Sequence, residues 1–333
     1  TIRNNQIYDG NETGVFVHDS GLGDIRDNDV FNNQRFGVMV STRGNPQLVN
    51  NRIHDEPECG IFVLENGEGY FERNEVFAMV ETGVQIKTGG KPAFVENHIY
   101  TCKGRGVHVQ DAGQGTVEAN TIELCNLAGV EVETGGNATF KNNYVRNGSL
   151  CGVYVHDNGQ GVFELNDISD NTLAGFEIQS GGNPVVRKNK IHHGKVPRVG
   201  VHDDGLGKGN GVLIHESGQG VLDNNDIFDN ASFGIEIAKG GNPMVKNNTI
   251  RDSLDAGVYA HDNAEGNFEE NTIFSNKTAN VELRSGANTK FRRECADKTF
   301  WSAEELDRHR STNRVNRLEI TFGFEAVAHA LYA

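Results

Sequence analysis

Gly152-Val-Tyr-Val-His-Asp-Asn-Gly-Gln-Gly-Val-Phe-Glu-Leu-Asn-Asp-Ile-Ser-Asp-Asn-Thr-Leu-Ala-Gly175 spans one period of the chain. Gly, Asn and Asp divide it into three short apolar pulses, each alternating with the period of a strand and none with that of a helix. Three strands and three turns in 23 residues describe one coil of a right-handed parallel β-helix. Val153 and Val155 are expected to face inward on the first strand, Phe163 on the second and Ile168 on the third.

The period extends in both directions. Asn-x-Ile/Val recurs at Asn5, Asn28, Asn51, Asn74, Asn97, Asn120, Asn143, Asn166, Asn189, Asn225, Asn248 and Asn271. A glycine before an apolar-x-apolar triplet recurs in phase, from Gly14 through Gly106 and Gly152 to Gly257. Each coil can bury its faces only against its neighbours, so the inward sites must stay apolar throughout. They do: three residues before each ladder Asn stands Ile, Leu, Phe or Val. The Asn side chains are expected to point inward at a turn and bond to the Asn above and below. The fold class is therefore all-β, a solenoid of about twelve 23-residue coils.

Two places break the period. From Gly175 to Gly211 and from Asn189 to Asn225 the spacing grows to 36 residues, so 13 extra residues sit between Ile191 and Gly211 and an inserted loop is expected at about 195–210. After Phe291 the repeat dissolves, and Ser302-Ala-Glu-Glu305 has the form of a capping box. The expected organisation is a β-helix over 1–299 and a capping segment over 300–333.

A formal charge of −15 and a pI near 5.2 argue against nucleic acid and anionic membranes as partners. No apolar run reaches the roughly 20 residues of a membrane-spanning helix. Five cysteines, irregularly spaced, suggest neither a disulfide framework nor a zinc module. Cys102 and Cys125 stand one period apart and are expected to stack as reduced thiols.

Outward positions of the first strand make the most informative row. Two residues after each ladder glycine come Phe16, Met39, Phe62, Gln85, His108, Glu131, Tyr154, Glu177, Leu213, Glu236 and Tyr259; two further on come His156, His215 and His261 among others. Coils with an aromatic or apolar residue followed by His-Asp/Glu alternate with coils carrying Glu, a 46-residue rhythm. Such a row offers a groove for sugar rings or an extended peptide. Phe16, Phe62, Tyr154 and Tyr259 would supply apolar contact, Glu131, Glu177 and Glu236 would attract a basic ligand, and His156, His215 and His261 complete the binding set. In pairs such as His156-Asp157 the two residues are expected to point to opposite faces, leaving the acid to a turn. The insertion gathers His192, His193, His202, Asp203 and Asp204, an alternative metal or acid-base cluster.

Gly-Gly-Asn-Pro-x-Val-x-x-Asn-x-Ile (181–191 and 240–250, with Met244 at the first x of the second) and Gly-Val-Tyr-Val-His-Asp-Asn-Gly-Gln-Gly (152–161) resemble the CASH, or parallel β-helix, repeats of F-box-only proteins. The resemblance implies a pectin-lyase-like solenoid that recruits protein substrates to a ubiquitin ligase and is not itself an enzyme. It implies a neutral or basic protein or peptide partner, no cofactor, and a cytoplasmic or nuclear setting. Similar repeats occur in polysaccharide-modifying enzymes, where the setting would be extracellular. On that alternative the chain is a uronan lyase or epimerase with His202, Asp203 and Tyr154 as catalytic residues and a polysaccharide as partner. His202-Asp203-Asp204 resembles the end of the Asp-Pro-His-Asp of alginate epimerases, without its Asp-Pro. A plain structural spacer is the third reading.

Overall fold

The computed structural model describes residues 1–196, 209–292 and the backbone of the strand Cys295–Ala296. The expected capping segment and most of the insertion lie outside these residues. Among the described residues the regular structure is entirely β. The strands form three parallel sheets, one for each strand of the coil. The first-strand sheet has 12 strands, from Thr13–Val17 to Val281–Leu283. The second-strand sheet has 13, from Ile2–Arg3 to Lys290–Arg292, and the third-strand sheet 13, from Gln6–Tyr8 to Cys295–Ala296.

Every strand pairs with its counterpart one coil away. Tyr154 lies opposite Glu131 on one side and Glu177 on the other, and Glu177 lies opposite Leu213 across the insertion. The outward row expected from the repeat is thus continuous. Val153, Val155, Phe163 and Ile168 are buried in a single core that runs the length of the solenoid. Burying each such side chain contributes about 1.5–3 kcal/mol.

The ladder asparagines occupy the turn between the second and third strands. The residue before each takes a left-handed conformation, even where it is Leu165 (φ 58°) or Ala119 (φ 57°). That conformation costs an ordinary residue about 1–2 kcal/mol. The hydrogen bonds that follow offset it. Asn120 Oδ1 accepts the backbone N–H of Asn97 at 2.8 Å and its side-chain amide at 2.9 Å, while Asn120 Nδ2 donates to Phe94 O at 3.0 Å and to Asn143 Oδ1 at 3.1 Å. The same bonds cross the insertion from Asn189 to Asn225, at 2.9 and 3.0 Å. At the next turn the ladder glycines allow the coils to meet: a Cβ on Gly106 would lie 2.5 Å from both Gly129 O and Ile122 Cγ2.

Outside the third-strand sheet five rings stack: Tyr8, Phe31, His54, Phe77 and Tyr100, with centroids 5.1, 5.2, 4.7 and 5.0 Å apart. Their planes lie within 14° of parallel, so Phe31, His54 and Phe77 are covered on both faces by their neighbours and turn mainly an edge to water. The stack therefore stabilises the sheet and leaves little face for a sugar. Replacing His54, which sits mid-stack and also meets Asp29 at 3.0 Å, with Ala should cost about 1 kcal/mol in urea unfolding. An unchanged midpoint would show that the rings are merely adjacent.

Candidate functional site

The first-strand face is organised around three buried glutamates. Glu131, Glu177 and Glu236 are 4%, 8% and 3% exposed. Each meets the imidazole that stands one coil and two residues further on: His156 at 3.4 Å, His215 at 2.9 Å and His261 at 3.0 Å. The second oxygen of each meets a donor from the preceding coil, 26 residues earlier. Arg105 Nε forms an ion pair with Glu131 at 2.5 Å, the Cys151 thiol donates to Glu177 at 2.6 Å and Asn210 Nδ2 donates to Glu236 at 2.5 Å. The 46-residue rhythm is therefore a two-coil repeat of a donor, glutamate and histidine unit that itself spans three coils, so successive units share a coil; it occurs three times, with the insertion falling inside one unit.

The histidines are held at their other nitrogen as well. His156 Nδ1 lies 2.9 Å from Asp157 Oδ2, and His261 Nδ1 lies 3.0 Å from Asp262 Oδ2. This corrects the expectation that such pairs diverge. The acid leaves the strand at once in a left-handed conformation, φ 46° at Asp157 and 47° at Asp262, which swings its carboxylate back to the ring. His215 differs, since its Nδ1 is buried without a hydrogen bond and the nearest Glu216 oxygen is 3.7 Å away.

These contacts set the charges. Burial favours protonating Glu131, but the hydrogen bonds from His156 and Arg105 outweigh it and hold the carboxyl at about 2. Burial likewise works against a charged His156, yet Glu131 and Asp157 raise its pKa. The bond to Glu236 raises that of His261. Burial lowers His108, with the charge of Arg105 adding to it. Burial and then Glu177 raise the Cys151 thiol and the Tyr154 phenol, so both stay protonated at neutral pH.

The expected binding set is placed as follows. Tyr154, His156, Tyr259 and His261 are half-buried on this face. Tyr154 stacks on His156 at 4.2 Å, and its hydroxyl contacts the amide of Gln179. Tyr259 lies between His261 at 4.6 Å and Phe233 at 4.4 Å. Phe16 is exposed on Thr13–Val17, several coils away from the glutamates. Phe62 is buried against Phe36 with Lys87 over its ring, so it is covered by its own neighbours. Glu131, Glu177 and Glu236 are not free charges awaiting a basic ligand, because each is buried and already partnered. His215 is buried too.

Of the alternative metal cluster, His192 and His193 lie among the described residues. His192 belongs to the third-strand sheet, where it meets Asp167 at 3.1 Å and stacks on Phe228, with His193 beside it. Tyr154 faces out from a different sheet. His202, Asp203 and Asp204 lie outside the described residues. Cys59, Cys102, Cys125 and Cys151 are buried free thiols, as the irregular spacing suggested.

Arg105, Cys151 and Asn210 were absent from the expected set. Their signal is the shared offset of 26 residues before each glutamate.

Comparison with known proteins follows this architecture. Among solved structures the chain is similar to the A-module of the Azotobacter vinelandii mannuronan C-5 epimerase AlgE6, with 16% identity, 81% of this chain and 90% of that one covered, and a TM-score of 0.57. A mutant of the periplasmic alginate epimerase AlgG shares 11% identity over 84% of this chain and 78% of its own, with a TM-score of 0.53. Pectate lyase Pel9A shares 15% over 87% and 77%, with a TM-score of 0.51. At these identities the likeness is one of fold. No curated protein matches the sequence significantly. The family model for the right handed beta helix region matches residues 1–143 and 128–295, and the chain accordingly belongs to the right-handed β-helix family.

Proposed function

We propose that the protein acts on a polysaccharide, a uronan, laid across the first-strand face at Tyr154. The observation that carries this reading is the setting of the Tyr154 hydroxyl. It is half-buried, held through the ring by His156 and at the oxygen by Gln179, on a face whose three glutamates are buried and already hydrogen-bonded or ion-paired within the protein. Such a face turns few unpartnered carboxylates toward an anionic chain. The insertion also returns to the solenoid here, since Gly209 N–H donates to Leu173 O at 2.8 Å and Leu173 packs in the apolar cluster that includes Tyr154. Mannuronan, alginate and pectate, named in the three related structures, support a uronan as the ligand class.

In a uronan reaction a base removes the proton at C-5, next to the carboxylate. An acid then either protonates the departing O-4 as the C-4 to O-4 bond breaks, or returns a proton to C-5 from the other face. Tyr154 holds its proton at neutral pH and is assigned the acid role by its place on the face; burial and Glu177 make it a weaker acid than a free phenol, which bound substrate has to offset. His202 and Asp203 are proposed as proton acceptors on sequence grounds alone. An extracellular setting goes with this proposal.

The test is incubation with polymannuronate, alginate and pectate, following elimination by the ultraviolet absorbance of unsaturated products and epimerisation by proton NMR. Tyr154→Phe should lower turnover by about 100-fold or more with an unchanged thermal melt. A wild-type protein that neither binds nor alters any of the three would overturn the reading and return the face to a protein partner.

A further inference from the structure

At the first of the three glutamate units a second histidine and a second glutamate join the cluster, and the arrangement differs in kind from the other two. His108 comes from one coil, Glu131 and Glu133 from the next, and His156 from the one after. His108 Nε2 lies 2.9 Å from Glu133 Oε1 and 3.9 Å from Glu131 Oε1. His156 Nε2 lies 3.4 Å from Glu131 Oε1 and 3.9 Å from Glu133 Oε2. His108, Glu131 and Glu133 thus bring one ligand atom each within 4.8 Å of one another, and His156 stands on the far side of the two carboxylates.

We propose that His108, Glu131 and Glu133 bind a divalent transition metal ion of the zinc class. A tetrahedral ion with bonds of about 2.0–2.1 Å holds its ligand atoms about 3.3 Å apart, between the 2.9 and 3.9 Å that separate His108 Nε2 from Glu133 Oε1 and Glu131 Oε1. Three protein ligands leave the fourth position of such an ion to water. The mixed nitrogen and oxygen set favours zinc, cobalt or nickel over calcium or magnesium, which take oxygen ligands.

The surroundings suit a metal site. Arg105 occupies Oε2 of Glu131, leaving Oε1 toward His108. His156 meets Glu131 Oε1 from the far side at 3.4 Å and is itself held by Asp157 at 2.9 Å, a second layer that orients the carboxylate. His108 and Glu131 are 5% and 4% exposed, so little water competes at that side. His156 still braces Tyr154 through its ring, so this inference goes beyond the proposed activity and does not depend on it.

The experiment uses the full chain, stripped with chelator and titrated with zinc by calorimetry in the absence of any sugar. One ion per chain is expected, with a raised thermal midpoint, and cobalt should give the intense visible bands of a four-coordinate centre. Glu133→Gln, at a half-buried position where folding is checked by circular dichroism, should weaken zinc binding at least about 100-fold and abolish the thermal shift. His108→Ala should do the same. His261→Ala removes the equivalent imidazole of a unit without the second histidine and should leave one ion bound. Failure of the folded wild-type chain to bind zinc or cobalt at micromolar concentration overturns the proposal. So does binding that survives Glu133→Gln and is lost in His261→Ala. Neither result bears on the uronan assay, which is read separately.

Discussion

Asn120→Ala is expected to lower the stability of the solenoid by roughly 4 kcal/mol, most of it from groups left behind. The removed oxygen takes two donors with it: the backbone N–H of Asn97 and one amide hydrogen of its side chain lose their acceptor. The removed nitrogen strands the carbonyl of Phe94. All lie in a turn sealed by the coils on either side, where water cannot replace them, and each unpaired group costs about 1–3 kcal/mol. Asn5→Ala makes the contrast. Asn5 is exposed, and among the described residues nothing donates to its oxygen, so its loss should cost about 0.5 kcal/mol or less. Urea midpoints of the two variants measure the difference. Equal losses would mean that the side chains, and not the bonds they make, stabilise the turn.

A second effect of similar size has the opposite sign. Glu56 stands in the next turn, five residues after Asn51, where Asn33, Asn171, Asn230 and Asn276 stand in other coils. It is wholly buried, and its two oxygens accept the backbone N–H and side-chain amide of Asn33, both at 2.8 Å. Burial raises its carboxyl to about 7, with the Asn33 bonds pulling the other way. The folded pKa therefore lies above the unfolded one. Below about 4.5 both states are protonated and nothing is lost; between 4.5 and 7 the unfolded chain ionises first, and stability falls as pH rises. Above 7 the deficit is complete, at about 3 kcal/mol. Glu56→Gln removes it. Its carbonyl can accept both Asn33 donors, as the neighbouring ladder oxygens do. The variant should be more stable than the parent by about 2–3 kcal/mol near pH 8, the gap closing toward pH 4.5. Chemical denaturation of both proteins across that range is the check, and parallel curves would contradict the shift.

The sequence made the winding legible because one physical demand is repeated in every coil. Asn120 and Gly106 each answer a requirement that recurs 23 residues away, so their spacing alone identifies their partners. The outward row from Phe16 to Tyr259 was legible for the same reason. What it did not reveal was depth. Glu131 reads as an exposed charge until the offsets of 26 and 25 residues, one coil plus or minus a few positions, bring Arg105 and His156 to it. The Asp157 side chain was misplaced because strand alternation was carried one residue too far, past the point where a left-handed turn reverses it. The third-strand stack of Tyr8, Phe31, His54, Phe77 and Tyr100 obeys the same period and lay in view, three residues after each ladder Asn.

The insertion is fastened at both feet. Lys195 N–H donates to Asn171 O at 2.9 Å as the chain leaves, and Gly209 N–H to Leu173 O at 2.8 Å as it returns. Between those anchors the winding is indifferent to how many residues pass, and closing a longer excursion adds only about 0.6 kcal/mol for each doubling of its length. The position is thus a natural port, where foreign segments of quite different size can be grafted while the rod keeps its pitch.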